Sequence, residues 1–345
     1  MSKSIHQHSS IPVIDLAPAR SGSGEDVQTV AKELYQAFKN VGFAYVKNHG
    51  VPEDVVEEAF RWSRQFFNLP QSDKDRAPHP PEAWHHRGYS SVGREKVSQM
   101  IFDSASLAAA RSVPDVKESF DIGRGDAAAP MPNVWPPEDV LPGFRAFFEG
   151  FYEVCHDAER ELLRLVALGM GLEREYFVGY HSHRDNQIRL LRYPAVEERA
   201  LREGLAERIA AHTDFGTLTM LFQDDVGGLE VEDVQEKGRF HGVPYIPGTA
   251  VVNVGDFLMR WSNDELRSTM HRVTAPPLGE CGAEAEEGVE KEKTARERHS
   301  IVYFMGADLE RTVDCVPGCW GEGRPKRYGP VKCREYIDMR MAALY

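Results

Sequence analysis

The sequence predicts an α+β chain with a mainly β core, a jelly roll of short strands with helices packed outside it. Two observations carry this. Helical periodicity is concentrated before residue 186, and from there on short extended runs recur at near-regular spacing with turn signals between them. The 345 residues, 41% apolar and 10% aromatic, are enough for a large core and argue against wholesale disorder. The expected organisation is one integrated domain in three stretches. Residues 1–184 form a helical N-terminal region whose early strands pack on the core, residues 185–310 the β core, and residues 311–345 a C-terminal segment that includes a helix over the mouth.

Residues 11–16 (Ile-Pro-Val-Ile-Asp-Leu) read as a strand kept to an edge or a strand start by Pro12. Ser21-Gly22-Ser23-Gly24 reads as a flexible turn. Val27, Val30, Ala31, Leu34, Tyr35 and Phe38 then recur at helical spacing. Residues 42–50 alternate as a strand closed by Asn48-His49-Gly50, which makes His49 a turn residue. Residues 52–69 form an amphipathic helix stopped by Pro70. Residues 78–100 are irregular, and loops of that length are often functional. A short strand follows over 117–122, a surface connection over 126–137, and the longest helix over 144–170, where His156 is a tolerated helix residue. In the second half, strands are expected over 188–194, 217–222, 229–231, 243–246, 250–254, 257–262, 271–275 and 298–305.

The formal net charge is −13, which disfavours nucleic acid or an anionic membrane surface as the main partner. Six glutamates fall within residues 280–292, an acidic loop between two strands. Five sparse cysteines without a CxxC pair point to a reducing compartment, and Cys315-x-x-x-Cys319 lacks the second half of a zinc site. With no apolar leader and no run of about 18 apolar residues, a cytoplasmic protein acting on a small molecule is expected, its oligomeric state unspecified.

The chemistry centres on Ile209-Ala210-Ala211-His212-Thr213-Asp214-Phe215-Gly216. In an extended segment His212 and Asp214 point to one side. His271, in Ser268-Thr269-Met270-His271-Arg272-Val273, is the candidate third ligand. Two histidines and one carboxylate with the remaining positions open form the ligand set of non-haem Fe(II) oxygenases. On its own, His-x-Asp is more often a strand with a surface acid. Activating O2 needs more electrons than Fe(II) gives, and a bidentate 2-oxo acid supplies them. Its distal carboxylate needs a cation inside an apolar barrel. Arg298 and Ser300 share one face of the last strand and make such a clamp. Arg272 and Arg296 are rival cations, but neither is followed by a serine two residues on.

Taken together, His212-Thr213-Asp214, His271 and Arg298-x-Ser300 resemble the 2-oxoglutarate/Fe(II)-dependent dioxygenases of the isopenicillin N synthase-like group. Ile11-Pro12-Val13-Ile14-Asp15 and residues 42–50 resemble the N-terminal region of that group, so the likeness spans roughly residues 11–310. Arg87-Gly88-Tyr89-Ser90, residues 115–124, residues 190–196 and residues 260–264 are similar to fungal members, thymine 7-hydroxylase-like and natural-product tailoring enzymes. The resemblance implies a distorted double-stranded β-helix with flanking helices. It implies Fe(II), 2-oxoglutarate and O2, with ascorbate supporting activity. Tyr193 would donate to 2-oxoglutarate beside Arg298 and Ser300. Arg189 alternates onto the same strand face, and with Asn186, Phe215 and Phe304 it is a candidate substrate contact. Phe215 and Phe304 match positions that sandwich a planar base; at Phe215 the family aromatic is a tyrosine, and that difference bears on the substrate. The gap of 27 residues from His271 to Arg298 exceeds the group's usual spacing of about ten, an excess the acidic insertion absorbs at little entropic cost.

The implied outcome is hydroxylation or a related C–H functionalisation such as desaturation, cyclisation or ring expansion. The alternative enzyme is an Fe(II) oxidase of isopenicillin N synthase type that uses no 2-oxoglutarate. A β-barrel binding protein without catalysis and a zinc hydrolase are further alternatives. The second lacks a dedicated general base near the three ligands.

Overall fold

The structure, a computed structural model, describes residues 11–82, 85–95, 113, 115–126, 129, 131–276 and 294–341. The acidic stretch 280–292 lies outside the described residues. Among them, two sheets face each other. The larger has eight strands in the order β1 (Val13–Asp15), β2 (Phe43–Lys47), β11 (Thr249–Val254), β8 (Leu218–Gln223), β14 (Arg298–Met305), β5 (Gln187–Tyr193), β4 (Glu118–Gly123) and β3 (Gly88–Ser90). The smaller has four, in the order β10 (Phe240–Gly242), β9 (Leu229–Glu232), β12 (His271–Val273) and β7 (Ile209–His212). Only β1 and β2 pair in parallel; the other neighbours are antiparallel. Two short pairs complete the strands, β6 (Val196–Glu197) with β13 (Thr294–Ala295) and β15 (Thr312–Val313) with β16 (Val331–Lys332). This is the double-stranded β-helix expected.

Alternation along the strands divides the apolar residues into two layers. Leu191, Tyr193, Ile209, Leu229, Val231, Val251, Val273 and Val302 fill the space between the sheets. Ile188, Leu190, Met220, Phe222, Ile301 and Tyr303 face the other way, onto helices. Those helices are α2 (Gly24–Asn40), α3 (Glu53–Phe67) and α5 (Phe144–Gly169). Phe148, Phe151, Leu162 and Val166 of α5 are buried against the large sheet. The Phe151 ring lies 6.2 Å from Phe222, and Tyr152 meets Tyr303 edge-on at 5.8 Å.

Ser21-Gly22-Ser23-Gly24 is not the flexible turn expected. Ser21 ends α1 (Ala17–Ser21), and Ser23 caps α2 in a reciprocal box with Asp26. Residues 257–262 are not a strand: α7 (Asp256–Trp261) is a helix. Six apolar-rich residues carry no decisive period. Here Asp256 opens the first turn, and the rings of Phe257 and Trp261, four residues apart, pack 5.8 Å from each other. The strand expected over 243–246 lies earlier, at β10. Three short helices have no counterpart in the sequence reading, namely α1, α4 (Gln71–Lys74) and α6 (Glu198–Arg202). The C-terminal helix α8 (Cys333–Met341) is present. No helix among the described residues is long and apolar enough to cross a membrane.

Candidate metal centre

Register builds the centre. β12 runs antiparallel to β7 with His271 directly opposite His212. The imidazole rings lie 4.4 Å apart between centroids. The chain then leaves the small sheet and crosses to β8 in the large one, with Asp214 in the crossing. That crossing is tied down by Asp256 N–H donating to the Asp214 carbonyl at 2.7 Å and Gly255 N–H to that of Thr217 at 3.1 Å. Any Cβ on residue 255 would sit 2.2 Å from the Gly216 carbonyl oxygen, so glycine alone permits the approach.

His212, Asp214 and His271 each offer one ligand atom, and the three atoms lie within 4.8 Å of one another. Asp214 Oδ1 is 3.6 Å from His271 Nε2 and 3.9 Å from His212 Nε2. Each imidazole is oriented through its other nitrogen: His212 Nδ1 donates to the Ala210 carbonyl at 2.9 Å and His271 Nδ1 to that of Thr269 at 3.2 Å. That leaves both Nε2 atoms turned inward, as metal-binding histidines require. Asp214 Oδ2 accepts from Thr219 Oγ1 at 2.6 Å and Asn253 Nδ2 at 2.7 Å, which leaves Oδ1 for the centre.

Burial, then the neighbouring His271, pulls His212 down to about 3, so its ring is neutral at ordinary pH. Burial alone would raise Asp214, but the charge and hydrogen bond of His271 outweigh it and hold the carboxyl well below the usual carboxylate range. Burial alone would lower His271, and Asp214 outweighs that and raises it. A neutral imidazole, a second imidazole close to a carboxylate and that carboxylate's inward oxygen suit a divalent cation, which binds the deprotonated groups.

On β14 of the large sheet, opposite Tyr193 of β5, Arg298 is 1% exposed. Its Nη1 donates to Ser300 Oγ and its Nη2 to Gln223 Oε1, both at 3.2 Å, and Nε has no hydrogen-bond partner among the described residues. Its guanidinium carbon is 5.0 Å from the centre of the Tyr193 ring. A buried cation with an unused N–H, a hydroxyl and a phenol make a fitting cradle for a carboxylate. Arg272 is engaged elsewhere, with Glu230 at 2.7 Å.

The substrate candidates divide. Arg189 faces the interior, gripped by Asp121 at 2.7 and 2.9 Å and by Glu95 at 3.2 and 3.4 Å, while Lys117 meets Glu95 at 2.9 Å. Phe304 joins the inner apolar layer, and Phe215 lies beneath the Arg340 guanidinium at 4.2 Å. Asn186 is not brought to them. Its amide donates to Glu159 of α5 and to Tyr303, and its oxygen accepts from Gly306 N–H, all on the helix-covered side. His156 contacts Glu159, and His49 is buried with Nδ1 accepting from Val51 N–H at 3.3 Å, a turn contact. His79, His86 and Glu95 also cluster, but Lys117 and Arg189 already neutralise Glu95 there, which disfavours a cation.

Several supporting residues escape a reading of the sequence. Thr219 and Asn253 hold Asp214. Thr213 Oγ1 donates to Asp256 at 2.8 Å, and Arg340 of α8 ion-pairs with the same carboxylate. Asn253 alone leaves a signal, a polar side chain inside the apolar run Ala250-Val251-Val252-Asn253-Val254.

Residues 184–307 match the 2OG-Fe(II) oxygenase superfamily, and residues 11–138 match the non-haem dioxygenase in morphine synthesis N-terminal region. A 2-oxoglutarate-Fe(II) type oxidoreductase of Metarhizium rileyi is 35% identical, over 97% of this chain and 91% of the relative. A proline hydroxylase of Petromyces alliaceus is 46% identical, over 72% and 76% respectively. The thymine 7-hydroxylase of Neurospora crassa, solved with α-ketoglutarate and thymine, superimposes with a TM-score of 0.84 at 36% identity, over 96% of both chains.

Proposed function

Because the chain belongs to the 2-oxoglutarate/Fe(II)-dependent oxygenase superfamily, we propose that His212, Asp214 and His271 hold its ferrous ion and that Arg298, Ser300 and Tyr193 take the distal carboxylate of 2-oxoglutarate. The protein is a 2-oxoglutarate-dependent non-haem iron dioxygenase that oxidises a small molecule. Iron and 2-oxoglutarate, when bound, supply the oxidising chemistry, with O2 consumed and succinate and carbon dioxide released. The chain's own residues bind and orient. The Ala210 and Thr269 carbonyls fix the imidazole tautomers, Thr219 and Asn253 fix the carboxylate, and the apolar residues between the sheets exclude water.

One observation supports the ligand residues above all: three inward donor atoms within 4.8 Å of one another. Protein mixed with Fe(II), ascorbate and 2-oxoglutarate labelled at the 1-carboxyl should release labelled carbon dioxide. Arg298→Ala should abolish 2-oxoglutarate binding while leaving metal binding intact. A variant that still bound 2-oxoglutarate as tightly as the parent would overturn the assignment of Arg298.

For the substrate, we infer a small amino acid or a close derivative. The likeness to a proline hydroxylase of Petromyces alliaceus supports this reading. A planar base is the second reading, favoured by Phe304 in the inner layer and by the likeness to the Neurospora thymine 7-hydroxylase. Succinate formation followed by proton NMR, with L-proline, other amino acids and thymine as candidates, separates the two. Turnover with thymine alone would favour the second.

A further inference from the structure

Arg208, directly before β7, is fully buried, and the centre does not account for it. Its Nη2 donates to the Arg296 carbonyl, whereas Nε and Nη1 have no hydrogen-bond partner among the described residues. Its guanidinium carbon lies 5.9 Å from the centre of the Tyr193 ring, the same ring that Arg298 approaches at 5.0 Å. Two buried guanidinium groups thus share one phenol. Burial, and next the charge of Arg298, pulls Arg208 down to about 10. Asp224 is the nearby acid, but its oxygens accept from the N–H groups of Val226 at 3.1 Å and His299 at 2.5 Å. A buried cation short of partners is costly, and a second one beside it adds to the cost. An anion entering between the sheets would offset both at once.

We propose that Arg208 is a second cationic contact for the distal carboxylate of 2-oxoglutarate, acting with Arg298 beside Tyr193. This rests on Arg298 and Tyr193 being the 2-oxoglutarate clamp. Arg208 then makes the site select for charge at the far end of the co-substrate, beyond the hydroxyl and phenol contacts that a neutral amide would also satisfy. Arg208 is also four residues from His212 on one continuous segment, so the clamp and the metal face are built on the same piece of backbone.

The test is calorimetric binding under anaerobic conditions to protein loaded with Mn(II), comparing 2-oxoglutarate with 2-oxoglutaramate, whose distal group is neutral. Wild type should prefer the acid. Arg208→Gln should weaken 2-oxoglutarate by roughly ten- to a hundred-fold, the loss of a charge-assisted hydrogen bond, while binding of the amide stays within about two-fold. Arg208→Lys, which keeps charge but not the planar fork, should give a smaller loss confined to the acid; it also serves if the glutamine variant does not fold. Equal weakening of both ligands, or no change in either, would overturn the proposal. If wild type bound acid and amide alike, the Arg298 clamp itself would fall. If Arg298→Gln abolished the preference and the Arg208 variants kept it, only Arg208 would be wrong.

Discussion

Asp214 shows how much of a metal site lies in residues that never touch the metal. One of its oxygens faces the imidazoles, and the other is fastened by Thr219 and Asn253. Asn253→Ala should leave the fold intact and weaken Mn(II) or Co(II) affinity about 10–100-fold, the usual effect of removing such a partner. Calorimetric titration checks this, and an unchanged affinity would mean Thr219 suffices. His212 and Asp214 are legible in the sequence as His-x-Asp, although β7 ends at His212 and Asp214 lies on the crossing, and His271 comes opposite His212 through register. Their supporters are not. Asn253 reaches Asp214 through strand register, Asp256 and Arg340 reach Thr213 through helix packing, and no local pattern connects residue 340 with residue 213.

Elements differ in how plainly they can be read. β14 lies where alternation predicts it, over 298–305, since Ile301, Val302, Tyr303 and Phe304 are all strong β-formers. α7 departs from the strand expected there because its short apolar run fits either period. α5 matches its predicted bounds to within a residue, and its buried face carries much of the outer core. Phe148→Ala should therefore cost about 3–5 kcal/mol in denaturant unfolding, with little change in the slope. At the C-terminal end of α2, Lys39 and Tyr35 both hydrogen-bond Glu265 at 2.5 Å, and Arg324 pairs with it from another segment. Burial there would raise Glu265, but Lys39, Tyr35 and Arg324 together pull it from 4.5 to about 2. A depressed carboxylate stabilises the fold fully above its unfolded value and loses that contribution as pH falls through the folded one. Wild type should thus lose more stability than Glu265→Gln between pH 4.5 and 2 in thermal melts. Parallel curves for the two proteins would show that the cluster contributes nothing.

At the scale of the whole molecule, the two sheets divide the labour. Both histidines belong to the small sheet, while Arg298, Ser300 and Tyr193 belong to the large one, with Asp214 on the crossing between them. A ligand that binds only the native arrangement stabilises it by mass action, so 2-oxoglutarate at about 100 times its Kd should add about 2.7 kcal/mol to the unfolding free energy of metal-loaded protein. A thermal shift absent at that concentration would argue against a site assembled only in the folded state. The division also has a geometric consequence. On the proposed assignments, a co-substrate held at its metal end by the small sheet and at its distal end chiefly by the large one would work as a rung of set length, and the spacing of the two walls would become a ruler. 2-Oxoadipate, a single methylene longer, carries the same charges yet would have to bend or push the walls apart to keep both contacts, and close-packed interiors resist such spreading. The barrel would in this way measure its co-substrate as well as hold it.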